Sequence, residues 1–115
     1  MAEKYSDVTA FAQPSSEQSS SHDSLNEYPR TVAVVVTYNR EDLLPKTLAG
    51  IASGERVPAA VVIVDNASTD GTAEYLRALD YELPVDCIRL ESNMGGAGGF
   101  AVGIDRALER HNPDL

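Results

Sequence analysis

One cysteine, no tryptophan and two phenylalanines leave this 115-residue chain little material for cross-links or a large aromatic core. The lone Cys87 excludes an internal disulfide and fits a reducing compartment. Positive charge is scarce, with nine Lys and Arg against eighteen Asp and Glu and a net charge of -9. Such an acidic chain repels phosphate backbones, which argues against nucleic acid as a partner. Long apolar stretches are missing as well. The longest, Val57–Val64 (VPAAVVIV), falls far short of the ~20 residues that a spanning helix needs. The N-terminus, MAEKYSDVTA, lacks the apolar core of a secretory signal, so a cytoplasmic location is expected. No G-x-x-x-x-G-K-[ST] phosphate loop and no Ser–His–Asp set occur, and His111 has no second His or Cys at metal-ligand spacing. The remainder, 43% hydrophobic and 23% charged, is ordinary globular composition.

The texture of the chain changes near Arg30. Residues 1–29 hold seven serines, scattered apolar residues, and Lys4 against Glu3, Asp7, Glu17, Asp23 and Glu27. Such a stretch buries too little surface to offset its ordering entropy, so it reads as a disordered, acidic, Ser-rich tail in which His22 is solvated. Residues 30–115 read as the folded part.

There the pattern is βαβαβα. Thr31–Tyr38 (TVAVVVTY) is β-branched and apolar on both faces, as in a buried parallel strand. Glu41 and Asp42 then suit a helix start near Arg40–Asp42 that keeps Pro45 in the first turn, and Ser53-Gly54 suits its end. Ala60–Val64 predicts a second strand running into Asp65, followed by a helix over Thr72–Leu79 with Ser68 or Asp70 as cap. Val85–Leu90 predicts a third strand, with Cys87 in the core. Phe100, Ile104 and Leu108 repeat every four residues and predict a third helix to about Arg110. Three βα units with short loops imply an α/β fold with a parallel sheet, helices on both faces and right-handed crossovers.

Ligands of open parallel sheets bind outside the carboxyl ends of the strands, and three unusual loops fall there. In the first, Tyr38 offers a ring to stack on a base, Thr37 and Asn39 offer hydrogen bonds to a base edge, and Arg40 is placed to meet a phosphate. A plain alternative has Tyr38 closing the strand and Asn39 capping a helix. In the second, Asp65-Asn66-Ala67-Ser68-Thr69-Asp70-Gly71, the Asp65 carboxylate suits a nucleobase imide N–H or a ribose hydroxyl, whereas Asp70 suits a turn. The third runs from Asn93 through Gly95 and Gly96 to Gly99. Its glycines allow close backbone approach, and the next helix start could face a diphosphate. Gly96–Ala101 also satisfies G-x-G-x-x-A, although in the third βα unit and with the chain ending too soon to show an acidic residue ~20 positions on, and tight helix–sheet packing is the plain alternative. Arg56, Arg77 and Arg89 read as solvated.

Taken together, VAVVVTYNREDLLPKTL, VVIVDNASTDGTAEYL and NMGGAGGFAVGI resemble the nucleotide-binding half of family 2 glycosyltransferases of the GT-A fold. Within that family the glycine-rich NMGGAGGF is similar to bacterial galactofuranosyltransferases of cell-wall biosynthesis and to some rhamnosyltransferases. The resemblance implies a partial GT-A, Rossmann-like fold and a nucleotide-sugar donor, a UDP-sugar or dTDP-sugar. Its sugar passes with inversion to a hydroxyl of a glycan or lipid-linked acceptor. Thr37, Tyr38 and Asn39 would meet the base, Asp65 the base or ribose, and Asn93, Gly95 and Gly96 would shape the floor under the donor. The family also uses an Asp-x-Asp cluster for a divalent metal, Mg or Mn, and a later carboxylate as general base. No D-x-D occurs in the 115 residues. The resemblance therefore implies a truncated transferase without turnover of its own, with neither catalytic nor metal-binding residues in this stretch. It further implies association of the full enzyme with the inner face of the plasma membrane, and self-association through an uncovered sheet edge. A dinucleotide-binding oxidoreductase domain and a non-catalytic protein-interaction domain are the alternatives.

Overall fold

The computed structural model describes residues 8–12 and 29–113. Four strands form one sheet in the order β1-β2-β3-β4: β1 Val8–Ala12, β2 Val32–Thr37, β3 Ala60–Asp65 and β4 Val85–Arg89. β2, β3 and β4 are parallel, with Thr37 beside Asp65 and Asp65 beside Arg89. Three helices alternate with them: α1 Leu44–Ala52, α2 Thr72–Arg77 and α3 Gly95–Arg106, the last continued by a π-type turn at Ala107–His111.

The α/β architecture is the expected one: a three-stranded parallel sheet with helices on both faces. Every residue of β2 and β3 is buried. Ala33, Val35, Val61 and Ile63 face Leu44 and Leu48 of α1, with Ile51, Tyr75, Leu76 and Leu79 packed alongside. Val34, Val36, Val62 and Val64 face α3 and Ala107 on the other side. α1 begins at Leu44, later than expected, because Arg40 first closes a turn whose carbonyl accepts the N–H groups of Leu43 and Leu44. Pro45 thereby sits at the helix start, where its missing N–H costs nothing.

Two expectations are corrected. The tail contributes a strand, since Val8–Ala12 pairs antiparallel with β2, Val8 against Val36 and Ala12 against Val32. A buried β2 leaves a row of backbone donors and acceptors along its outer edge, and β1 satisfies them. The rest of the tail lies outside the described residues. Cys87 is exposed, because β4 is an edge strand. Burial of the sulfur nonetheless raises its pKa, and the charges of Asp86 and Asp65 add to the rise. In α3 the buried stripe is Gly99, Gly103 and Ala107; Phe100 is half-buried, and Ile104 and Leu108 are exposed at 41% and 42%. A β-carbon on Gly99 would lie 2.6 Å from Val36 Cγ1, and one on Gly103 would lie 2.5 Å from Val34 Cγ1. The helix touches the sheet where it has no side chains.

Candidate functional site

The three strands end side by side, and two asparagines stitch their loops together. Asn39 adopts a left-handed conformation with φ 52°. Its N–H donates to Ser68 Oγ at 2.9 Å, and its Oδ1 accepts from the N–H groups of Thr69 at 2.7 Å and Asp70 at 3.2 Å. Asn39 thus neither caps a helix nor offers that carboxamide oxygen to the rim; it ties the first loop to the second. Asn66, 2% exposed, repeats the device one strand on. Its Oδ1 accepts from Met94 N–H at 2.8 Å and its Nδ2 donates to the Gly95 carbonyl at 2.9 Å, which ties the second loop to the third. Further links are Glu41 N–H to Asp70 Oδ2 and Gly71 N–H to Glu41 Oε1.

Asp70 accepts from both the N–H and the hydroxyl of Thr72, the turn role expected of it. Burial pushes its pKa up, but the hydrogen bonds from Thr72 and from the Glu41 N–H outweigh that and hold it below the ordinary 3.8. Ala67 is also left-handed, with φ 66°. A non-glycine residue held there is strained, and its bend brings Ser68 N–H to Asp65 Oδ1 at 2.9 Å.

Beneath the loops lies a row of three side chains on one face of the sheet, Thr37, Asp65 and Arg89, each the last residue of its strand and adjacent in register. Asp65, 2% exposed, receives Arg89 Nη1 on Oδ2 at 2.7 Å, and Arg89 Nη2 donates to the Ser68 carbonyl at 3.0 Å. Arg89, read as solvated, keeps its side chain 52% exposed and joins the rim through this pair. Nothing short of the strand register could have assigned it to Asp65. Thr37 is fully buried, and its Oγ1 has no hydrogen-bond partner among the described residues. Buried hydroxyls are satisfied as a rule, so this one is an open valence at the end of a strand.

The other expected residues fall along the same lip. Tyr38 is half-buried beside Thr37. Arg40 is on the same loop and pairs with Asp42 at 3.4 Å. Asn93 is exposed and closes a turn by accepting Gly95 N–H at 2.7 Å. Gly95 has φ +75° and Gly96 looks onto open space, so neither is explained by packing as Gly99 and Gly103 are. Of the G-x-G-x-x-A glycines, Gly96 meets nothing within 4 Å and a β-carbon on Gly98 would lie 2.8 Å from Met94 Cβ, so the helix–sheet contact belongs to Gly99 and Gly103 instead. Among the described residues no three His, Cys, Asp or Glu side chains converge to hold a metal ion. These residues do not fit the divalent metal that the resemblance implies. No helix among the described residues is long and apolar enough to cross a membrane.

At the opposite end of the sheet, His111 Nε2 meets Asp86 Oδ2 at 3.0 Å, and Arg106 Nη1 donates to Asp86 Oδ1 at 2.7 Å. Arg30 Nε donates to the His111 carbonyl at 2.8 Å. His111 therefore fastens α3 to the sheet, a role that only the fold reveals.

The profile of the family described as glycosyl transferase family 2 matches residues 32–110. The galactofuranosyltransferase GlfT1 of Mycolicibacterium smegmatis is 37% identical over 76 residues, covering 66% of this chain and 24% of the relative. GlfT1 of Mycobacterium tuberculosis is 42% identical over 79 residues, covering 66% and 25%. The succinoglycan biosynthesis protein ExoO of Rhizobium meliloti is 30% identical over 86 residues, covering 75% and 24%. The chain thus spans about a quarter of the length of these relatives. No solved structure matches it. With its three strand ends matched inside a single family profile that runs from β2 to the end of α3, this chain belongs to glycosyl transferase family 2.

Proposed function

We propose that this chain forms the base-binding half of the donor site of a galactofuranosyltransferase that uses a UDP-sugar. One observation carries the proposal: the unpartnered, fully buried hydroxyl of Thr37 stands in register beside the Asp65–Arg89 pair. The imide edge of uracil presents an N–H donor between two carbonyl acceptors. A carboxylate accepts from the N–H, and a hydroxyl and a guanidinium donate to the carbonyls. Cytosine, with an acceptor at that ring nitrogen, and adenine, with its amine, mismatch such a row. Tyr38 is placed to stack on the base, Asn39 and Asn66 act as positioning residues, and Gly95 and Gly96 leave room for the donor beyond.

In the whole enzyme the reaction is a direct displacement. The acceptor hydroxyl of a glycan or lipid-linked glycan attacks the anomeric carbon as the nucleoside diphosphate leaves, and configuration inverts. The general base and the ligands of the divalent metal come from outside this stretch, so the chain alone binds donor without turning it over. The full enzyme works at the cytoplasmic face of the membrane, where a lipid-linked acceptor is met.

Titration of the isotopically labelled chain with UDP, dTDP and NAD tests this. UDP at millimolar concentration should shift the amide signals of Thr37, Asp65 and Arg89, and dTDP, with the same imide edge, should do so as well. Asp65→Ala should weaken UDP binding by about 10- to 100-fold, the worth of a hydrogen bond to a charged group. A response to NAD in preference to UDP would establish the oxidoreductase alternative, and silence toward all three would leave the interaction domain.

A further inference from the structure

We propose that Asp86, Arg106 and His111 form a clamp that acts along the whole of α3 and holds the glycine-rich start of that helix in place on the rim. The sequence of α3 makes such a clamp necessary. Side chains that interdigitate resist sliding and turning, but the stripe that α3 lays on the sheet is Gly99, Gly103 and Ala107. Phe100 is the large side chain of the helix that joins the cluster on that face. Dispersion draws the helix onto Val34, Val36 and Val64, yet it has no preferred direction along the sheet. The height and rotation of α3 are therefore set by directed bonds, and these lie at its two ends. At the start, Asn66 accepts from the Met94 N–H and donates to the Gly95 carbonyl.

At the far end one carboxylate collects both donors. Asp86 stands beside Val62 in register, on the face that α3 covers. Its Oδ1 takes Arg106 Nη1 at 2.7 Å and its Oδ2 takes His111 Nε2 at 3.0 Å. A carboxylate only accepts, so Nε2 carries the proton. All three side chains are mostly buried, unlike the exposed pairs that contribute little. The backbone is bent to make this possible. Residues five apart on an α-helix lie about 140° apart around its axis, so Arg106 and His111 would point to different sides of an unbroken α3. The turn at Ala107–His111 removes the mismatch. Its bonds span five residues, as from the Asn112 N–H to the Ala107 carbonyl at 3.1 Å, so the circuit holds more residues and the fifth returns over the first. Such turns are rare and gather at functional sites. Here the turn brings a second donor onto Asp86, and Arg30 Nε fastens the same turn by its His111 carbonyl. Met94 and His111 are about 25 Å apart at the rise of an α-helix, so what one end fixes reaches the other through the stiffness of the helix. His111 and Arg106 are thus positioning residues for Gly95 and Gly96, and this consequence rests on the donor-site reading proposed above.

Amide hydrogen exchange and side-chain amide signals of the labelled chain test the clamp. His111→Leu removes the Nε2 donor and leaves an apolar side chain in its place. The Met94 N–H, bonded to Asn66 at the other end of the helix, should then lose about tenfold of its protection, the worth of a hydrogen bond to a charged group, while Val34 and Val62 keep theirs. The Asn66 side-chain NH2 signal should shift in the same variant. His111→Gln, which returns an N–H donor toward Asp86, should restore both. Arg106→Met removes the other donor and should act in the same direction as His111→Leu. Unchanged protection at Met94 in both His111→Leu and Arg106→Met would overturn the clamp. So would an equal loss at Met94, Val34 and Val62, the mark of a general loss of stability, or a failure of His111→Gln to restore the Asn66 signal. No nucleotide enters these measurements, so failure of base binding and failure of the clamp are separately visible.

Discussion

The two faces of the sheet are packed by opposite means. On one, α1 and α2 press leucine, isoleucine and tyrosine side chains onto Ala33, Val35, Val61 and Ile63, and the Tyr81 hydroxyl donates to the Leu48 carbonyl. On the other, α3 brings glycines and an alanine, and the valines of β2 and β3 fill the space that side chains would have taken. Bulk holds the first helix off the sheet; the absence of bulk lets α3 lie against it, and its start reaches down to Asn66. The close packing is what permits Asn66 to accept from the Met94 N–H and to donate to the Gly95 carbonyl. The glycine-rich segment therefore divides between helix–sheet contact, at Gly99 and Gly103, and a left-handed turn, at Gly95.

The largest effect should come from the bulky face. Leu48 is 1% exposed and central to its cluster. Leu48→Ala should cost about 2–5 kcal/mol by chemical denaturation, from lost transfer energy plus the cavity. The next test is a matched pair. Gly50 in α1 and Gly103 in α3 are both inside helices, but a β-carbon on Gly50 meets nothing within 4 Å, whereas one on Gly103 meets Val34 at 2.5 Å and Val64 at 3.0 Å. Gly50→Ala should stabilise by about 0.5–1 kcal/mol, the difference in helix propensity. Gly103→Ala gains the same propensity but collides with buried valines, and overpacking at about 1–3 kcal/mol outweighs it. Equal signs for the two substitutions would show that α3 stands off the sheet.

How much of this was legible beforehand follows the same division. The continuous β-branched stretches Val32–Val36 and Ala60–Val64 announce buried parallel strands by themselves, and they put Thr37 and Asp65 at strand ends. Phe100, Ile104 and Leu108 announce the third helix but not its buried face, because a period of four in apolar residues looks the same whether it faces the core or flanks a stripe of glycines. Asn66 and Arg89 have partners 28 and 24 residues away, brought near only by register. Val8–Ala12 is five residues of a serine-rich tail, and only the open edge of β2 makes it a strand.

The stitched rim sits between these extremes, and acid should loosen it. Folding holds the Asp70 carboxyl below its ordinary 3.8. The folded chain thus binds that proton more weakly than the unfolded one. The stabilisation is complete above about pH 5 and is lost as the pH falls through the lowered value. Asp70→Asn should cost about 0.5–1.5 kcal/mol at neutral pH for the hydrogen bond from Glu41 N–H that an amide nitrogen cannot accept. It should also flatten the acid limb of the stability profile, measured by thermal melts between neutral and acidic buffer. A limb of unchanged slope would place the titration elsewhere.

The smallest effect discriminates most sharply between the two descriptions of α3. Ile104 is one residue from Gly103, yet it is 41% exposed. Ile104→Ala removes apolar area that already faces water on one side and gains helix propensity, so its net effect should stay within about 0.5 kcal/mol. If the apolar stripe Phe100–Ile104–Leu108 were the face that binds the sheet, the same substitution would cost about 2–5 kcal/mol, as at Leu48. Adjacent residues with opposite roles, measured in one denaturation series, thus decide whether side chains or their absence seat this helix. A large loss at Ile104 with none at Gly103 would require the helix to turn by about 100°, which would carry its amide-bearing start away from Asn66.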